Sequence, residues 1–223
     1  VARAYNCVTE SEYQAELSPP TQDFPWPPRE DDSIPNSLAT TWKESVFHPT
    51  DFFRRMPTEF DFGWVLGYYL IIGVVAAGIS LFWEMLLGPS LAERWLPASA
   101  AEPGSPFVDF LLSPLWLLIG LFLVAGVIHV VLLVVRGANQ GYGATVRVFC
   151  FTVGPQLFTI VPFIGPAVGG IWSLVITVIG LREAHKTTTG KAVTAVLLPT
   201  FFLLLLAILL VIAGLVAGMT VAR

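Results

Sequence analysis

Charge is scarce in this chain. Asp, Glu, Lys and Arg make up 13% of its residues against 55% hydrophobic, with a mean hydropathy of +0.72. A soluble domain carries about a quarter of its residues as charges, so this composition excludes an all-round water-facing surface and implies a chain lying largely in lipid. Cysteine is equally sparse. Cys7 sits in a polar tail and Cys150 within an apolar run, which leaves no disulfide framework to read. His48, His129 and His185 fall in separate segments rather than at ligand spacing, so neither a metal nor a cofactor is expected. The first residues are polar, so no cleavable signal is expected and the first apolar span is expected to act as the insertion signal. No nucleophile, base and orienting group can be assembled, because Ser80 and Ser173 lie in apolar runs without a matching His or Asp. The chain therefore reads as non-enzymatic.

The charge that is present is unevenly placed. Before Phe62 there are eleven acids and five bases (Arg3, Arg29, Lys43, Arg54, Arg55), a local balance of −6, which argues against nucleic acid as a partner. Residues 1–36 form an acidic tail with six prolines between Pro19 and Pro35, too polar to fold alone. Within it, Phe24-Pro-Trp26-Pro-Pro28 is either a stiff linker or a polyproline element that docks into an aromatic groove. Residues 37–61 follow as short amphipathic helices. Leu38, Trp42 and Val46 recur every four residues, and then Phe52, Phe53 and Met56 share a face while Arg54 and Arg55 snorkel. They lie on the membrane surface or pack on other protein. A protein partner is expected for Phe24, Trp26, Trp42, Phe52 and Phe53, since buried aromatic anchors carry much of the binding energy at interfaces.

Residues 62–223 read as an all-α polytopic membrane domain with five transmembrane helices: 62–87, 115–135, 144–161, 165–181 and 192–216. The third and fourth meet at Pro162-Phe-Ile-Gly-Pro166, an elbow too short and apolar for a solvated loop. They form either a tight spanning hairpin or a re-entrant one, and both return the chain to the side it left. Lys43, Arg54, Arg55, Arg136, Arg147, Arg182, Lys186 and Lys191 collect on one face, against Arg94 and Arg223 on the other, which places the N-terminus in the cytoplasm and the C-terminus outside. Arg54, Arg55, Arg147, Arg182, Lys186 and Lys191 are expected to anchor the protein against anionic headgroups. His129, Pro155, Gly165, Gly169, Gly214 and Gly218 are expected to serve helix packing, the glycines as small-xxx-small pairs, with homodimerisation as their second use. The turn 182–191 ends in Gly-Lys but lacks the first Gly and the final Ser or Thr of a phosphate loop.

FHPTDFFRRMP (47–57), GYGATVRVFCFTVGPQLFTIVPFIG (141–165) and IWSLVITVIGLREAHKTTTGKAVTAVLLP (171–199) resemble the Yip family of Ypt/Rab-interacting integral membrane proteins, over most of residues 42–220. The resemblance implies five spans with the N-terminus cytoplasmic and, for eukaryotic members, binding of prenylated Rab-type GTPases in traffic between ER and Golgi. Those members carry Asp-Leu-Tyr-Gly-Pro before the second span; here residues 110–116 keep Pro114 and Trp116, which favours a prokaryotic member in a bacterial cytoplasmic membrane over an ER or Golgi protein. Some bacterial relatives have a paired-cysteine ribbon, which the lone Cys7 cannot make. The function expected is a non-enzymatic scaffold or accessory subunit of a membrane complex. A Rab-type trafficking or membrane-organising factor is the second reading and a small transporter or channel the third. The partners expected are the lipid bilayer and other membrane or cytoplasmic proteins.

This topology is open to a labelling test. Single cysteines at Ser99 and Ala222 should react with an impermeant thiol reagent in intact cells, whereas Cys7 and a cysteine at Thr188 should not; outside labelling at Thr188 overturns the orientation. A cysteine at Ile164 reacts only if the hairpin crosses.

Overall fold

Proline and glycine punctuate the chain into helices whose ends can be read off the sequence. The computed structural model describes residues 24–29, 32–57, 61–88 and 105–221, with the side chains of the last helix described to Gly214. Expectations for Cys7, the tail before Phe24, most of the loop 88–113, Gly218 as a packing residue, and Arg223 lie outside the described residues. Among those residues there are seven α-helices: α1 (Ile34–Phe47), α2 (Pro49–Arg55), α3 (Phe62–Leu87), α4 (Pro106–Val134), α5 (Tyr142–Phe151), α6 (Ile164–Ala184) and α7 (Thr189–Val221). A 3-10 segment, Gly154–Ile160, joins α5 to α6. Pro35, Pro49 and Pro106 stand in the first turns of α1, α2 and α4, where a missing N–H has no cost. Asp61 caps α3, its carboxylate accepting from Gly63 N at 2.9 Å.

Among the described residues four helices, rather than the five expected, are long and apolar enough to cross a membrane: α3, α4, α6 and α7. The run 144–161 is not a continuous helix. Pro155 has no N–H to return to Phe151, so α5 stops at Phe151 after 10 residues and the chain tightens into the 3-10 segment. Two other boundaries move for the opposite reason. Pro114 lies inside α4, where the freed carbonyl is tolerated, so that helix begins at Pro106 rather than at 115, and α7 keeps Pro199 in its interior and starts at Thr189 rather than at 192.

The 3-10 segment and α6 form an antiparallel hairpin with backbone against backbone. A methyl group added to Gly165 would sit 1.8 Å from the Phe158 carbonyl oxygen, and one added to Gly169 would sit 2.6 Å from that of Pro155. Four residues of α-helix and three of 3-10 helix both rise about 6 Å, so the two contacts repeat in step. Further along, Ser173 Oγ donates to Thr152 O at 3.3 Å, and a methyl at Gly180 would meet Val148 at 2.7 Å. Small residues on α6 thus face the partner strand of the hairpin along its whole length.

The other ends of these helices come together. Lys191 Nζ donates to Arg136 O at 2.8 Å, and Gln140 N donates to His185 Nδ1 at 3.2 Å, which sets the end of α4, the start of α5, the end of α6 and the start of α7 at one level. Helix α3 pairs with the far half of α4, with Tyr69 Oη on Leu117 O at 3.1 Å and Gly78 beside Phe110. The α6 helix has 21 residues and α4 has 29, so α6 stops about 12 Å short of the far end of α4. The buried side chains gather in the near half, around Tyr68, Phe151, Phe52, Phe53, Leu132 and Leu181, while the far halves of α3 and α4 and nearly all of α7 present apolar side chains outward.

Gly165→Ala should lower unfolding stability in detergent at the upper end of the about 1–3 kcal/mol typical of overpacking. Gly170→Ala, on the same helix with nothing within 4 Å of the added methyl, should raise it by about 0.5 kcal/mol. Equal melting of the two variants would show that the hairpin contact is not tight.

Candidate functional site

Two of the histidines that look scattered in sequence meet in space. His129 near the end of α4 and His185 just past α6 have ring centroids 5.9 Å apart, with Thr145 of α5 between them. The Thr145 hydroxyl lies 2.8 Å from His129 Nδ1 and 2.9 Å from His185 Nε2. The Gln140 N–H donates to His185 Nδ1, which makes that nitrogen an acceptor and places the ring proton on Nε2. The His185 Nε2–H then donates to Thr145, and the Thr145 hydroxyl donates to His129 Nδ1. Every hydrogen in this chain has one direction. Burial, with His129 close by, pushes the His185 pKa down to about 4. No spacing signals the cluster, because residues 129, 145 and 185 come from three helices; its only mark in sequence is a histidine in an apolar run and another in a basic turn.

Of the aromatic residues expected to bind a partner, Phe24, Trp26, Phe52 and Phe53 pack within the chain itself and Trp42 is partly buried. Phe24 packs on Phe52 at 4.8 Å and Phe151 at 5.7 Å between ring centroids, and Trp26 packs edge-on against Trp64 and Tyr68. The Trp26 Nε1–H donates to Trp64 O at 2.7 Å, and the Trp26–Pro27 bond is cis. Phe24, Trp26, Phe52 and Phe53 are all buried. The physical reason is that α3 and α5 offer a cleft of rings that excludes water as well as any partner would. Trp42, partly buried, donates through Nε1 to Gly154 O at 2.9 Å, and Trp172 donates to Val46 O at 2.9 Å, so α1 is tied to the hairpin by two indoles. The fully buried residues of α1 are Ser37, Thr41 and Ser45, small groups that let it approach closely, and Val46 of the expected stripe, whose Leu38 and Trp42 pack partly buried against the core.

The basic residues divide between ion pairs and open positions. Arg55 Nη2 pairs with Glu44 at 2.7 Å, tying α2 to α1. Arg182 pairs with its neighbour Glu183 at 2.7 Å, and Arg54 reaches the same Glu183 at 3.5 Å. Lys191 holds the carbonyl of Arg136, and Asn139 Nδ2 donates to the carbonyl of Lys186 at 3.4 Å. Arg147 Nε is buried with no hydrogen-bond partner. Pro155, Gly165 and Gly169 lie in the hairpin contact, whereas Gly214 has nothing within 4 Å of an added methyl.

A groove of about 760 Å³ opens between α3, α4 and the hairpin. Tyr69 and Gly73 line it from α3, Ser113 and Trp116 from α4, Gln156 and Thr159 from the 3-10 segment. The Ser113 and Thr159 hydroxyls have no hydrogen-bond partner in the protein. Its wall is mostly apolar, so it can hold an apolar chain, and Asp109 of α4 is the one carboxylate along it.

Comparison with known proteins places this architecture. The family model described as Yip1 domain matches residues 43–212, from α1 to near the end of α7. No curated protein and no solved structure matches the chain.

The histidine cluster carries a pH prediction. His185 titrates near 4 in the folded protein and near 6.5 when unfolded, so the unfolded chain takes up the proton first as pH falls. Its contribution is complete above about 6.5 and drains away as pH drops toward about 4. Melting of detergent-solubilised protein should decline across that window. In His185→Gln the neutral-pH midpoint should be lower and this decline flatter; an unchanged slope would show that other groups set it.

Proposed function

We propose that this protein, which belongs to the Yip1-domain family, is a non-catalytic membrane scaffold that works by holding other membrane proteins against its last helix. It is an integral membrane protein, with apolar helices long enough to cross a bilayer. The observation that carries the reading is the position of α7. Among its described side chains the packed ones are in the first turns, Ala192, Ala195 and Val196; every residue from 201 to 213 is exposed, on all sides of the helix. A span packed on its own bundle buries one face. This one is docked at its base and free along its shaft, which suits a helix that pairs with a helix from another chain. The small residues Ala207, Ala213 and Gly214 along it allow close approach.

The central hairpin fits the same reading as a re-entrant wedge, with α3, α4 and α7 as the full crossings. If the elbow before α6 reached the far interface, the exposed Phe82, Met85 and Leu86 of α3 and Phe107, Val108 and Leu111 of α4 would stand in water. Placing the elbow within the bilayer keeps them in lipid. The basic bias supports an N-terminus in the cytoplasm, and the lack of the Asp-Leu-Tyr-Gly-Pro motif before the second span favours a bacterial cytoplasmic membrane. A trafficking factor that engages Rab-type GTPases is the second reading, and the family match is what favours it.

A photo-crosslinking side chain placed in turn at Leu203, Leu204 and Leu209, which are exposed, samples three sides of α7 in native membranes. The scaffold reading expects a discrete protein adduct from at least one side, and an adduct of twice the chain mass would identify a second copy as the partner. Lipid adducts alone from all three positions would remove it.

A further inference from the structure

Three bases that α2, α5 and α6 supply separately face one hollow at the cytoplasmic end of the protein. It encloses about 300 Å³ between the end of α2, the start of α5 and the end of α6, and Arg54, Arg147 and Lys186 line it with Glu183 as the single acid. Glu183 is already engaged, by Arg182 at 2.7 Å and by Arg54 at 3.5 Å, so its charge is largely answered within the wall. Arg147 is not answered. Its Nε is buried without a hydrogen-bond acceptor, a state that native proteins tolerate where something else completes the bond. Lys186 is held beside the cavity by a left-handed backbone turn, φ 48°, which the carbonyls ending α6 anchor through Lys186 N on Glu183 O and Thr187 N on Arg182 O. Gly141 and Gly143 form part of the wall at the start of the ten-residue α5, whose first N–H groups have no acceptor within the helix and whose dipole adds positive potential. Phe53, Met56 and Pro57 make an apolar rim on one side.

We propose that this hollow binds a phosphate group. The cavity is several times larger than a carboxylate or a water needs. Its donors arrive from three directions, which suits a tetrahedral oxyanion better than a planar one, and guanidinium pairs with phosphate through two parallel bonds. The phosphate comes either from the headgroup of an anionic lipid, with the apolar rim meeting its glycerol end, or from a soluble phosphomonoester. The site is independent of the scaffold reading, since α7 contributes nothing to its wall.

The test uses the full chain in nanodiscs. Phosphatidylglycerol is titrated into phosphatidylcholine discs, and separately glycerol 3-phosphate is added to pure phosphatidylcholine discs, with melting temperature and retained lipid by native mass spectrometry as readouts. A saturable response to phosphatidylglycerol alone identifies a lipid headgroup, and one to glycerol 3-phosphate in the pure discs identifies a soluble ligand. Arg147→Gln and Lys186→Gln should each weaken the response about tenfold, as expected for loss of one charged contact. Lys186→Arg should restore it. The Lys186 pair guards against misfolding, because Lys186 is exposed and the Arg variant keeps the charge. Lys43→Gln, an exposed base on α1, should leave the response unchanged. No saturation in either arm, or equal loss in the Lys43 and Lys186 variants, would mean general charge attraction and would overturn the site.

Discussion

The contact on which the rest of the structure depends is the approach of two backbones, α6 and the 3-10 segment, with no side chain between them. Gly165 and Gly169 stand where any Cβ would collide with a carbonyl of the opposite strand. In lipid there is no hydrophobic gain from bringing helices together, so association rests on close packing, and small residues are what permit it. This contact also fixes the elements around it. Trp42 donates to the carbonyl of Gly154 and Trp172 to that of Val46, so α1 registers on the hairpin rather than lying free on the membrane. Gly154 is itself closed in, since a methyl there would meet Val46 at 2.7 Å.

From that anchor the molecule divides into a packed near half and a sparse far half. In the near half, aromatic rings from four parts of the chain converge: Phe24, Phe52, Tyr68 and Phe151 pack around one another, with Trp26 against Tyr68. Polar groups there link distant segments, as in the run from Gln140 through His185 and Thr145 to His129. In the far half, α3 pairs with α4 and α7 stands alone, so apolar side chains face outward over most of their surface. Rigid packing on one side and exposed helices on the other is the arrangement a scaffold requires.

The basic residues follow the same division. Arg55 and Lys191 spend their charge on joining helices, whereas Arg147 and Lys186 border a cavity. Counting Lys and Arg by face cannot separate these uses, because it records the side of the membrane and says nothing of the carboxylate or carbonyl within reach. The aromatic residues of the tail show the same limit. Their need for a dry surface was legible in the composition of residues 24–56. That the surface is the chain's own α3 and α5 was not.

The amino-acid sequence alone determined that this is an all-helical membrane protein, where most of its apolar runs lie, and which family it resembles, because hydropathy over about 20 residues and proline placement are local properties. It also marked the elbow at residues 162–166 as a hairpin. What it left open was decided by contacts between distant residues. The break at Pro155 ends α5 because the 3-10 segment is held against Gly165 and Gly169 of the next helix. His129 and His185 become one cluster only when α4, α5 and α6 are assembled. Helix α4 keeps Pro114 in its interior and extends back to Pro106, since lipid-embedded packing tolerates a missing donor that a propensity rule counts as a stop. Local pattern sets which segments are helices; only packing sets which of them meet.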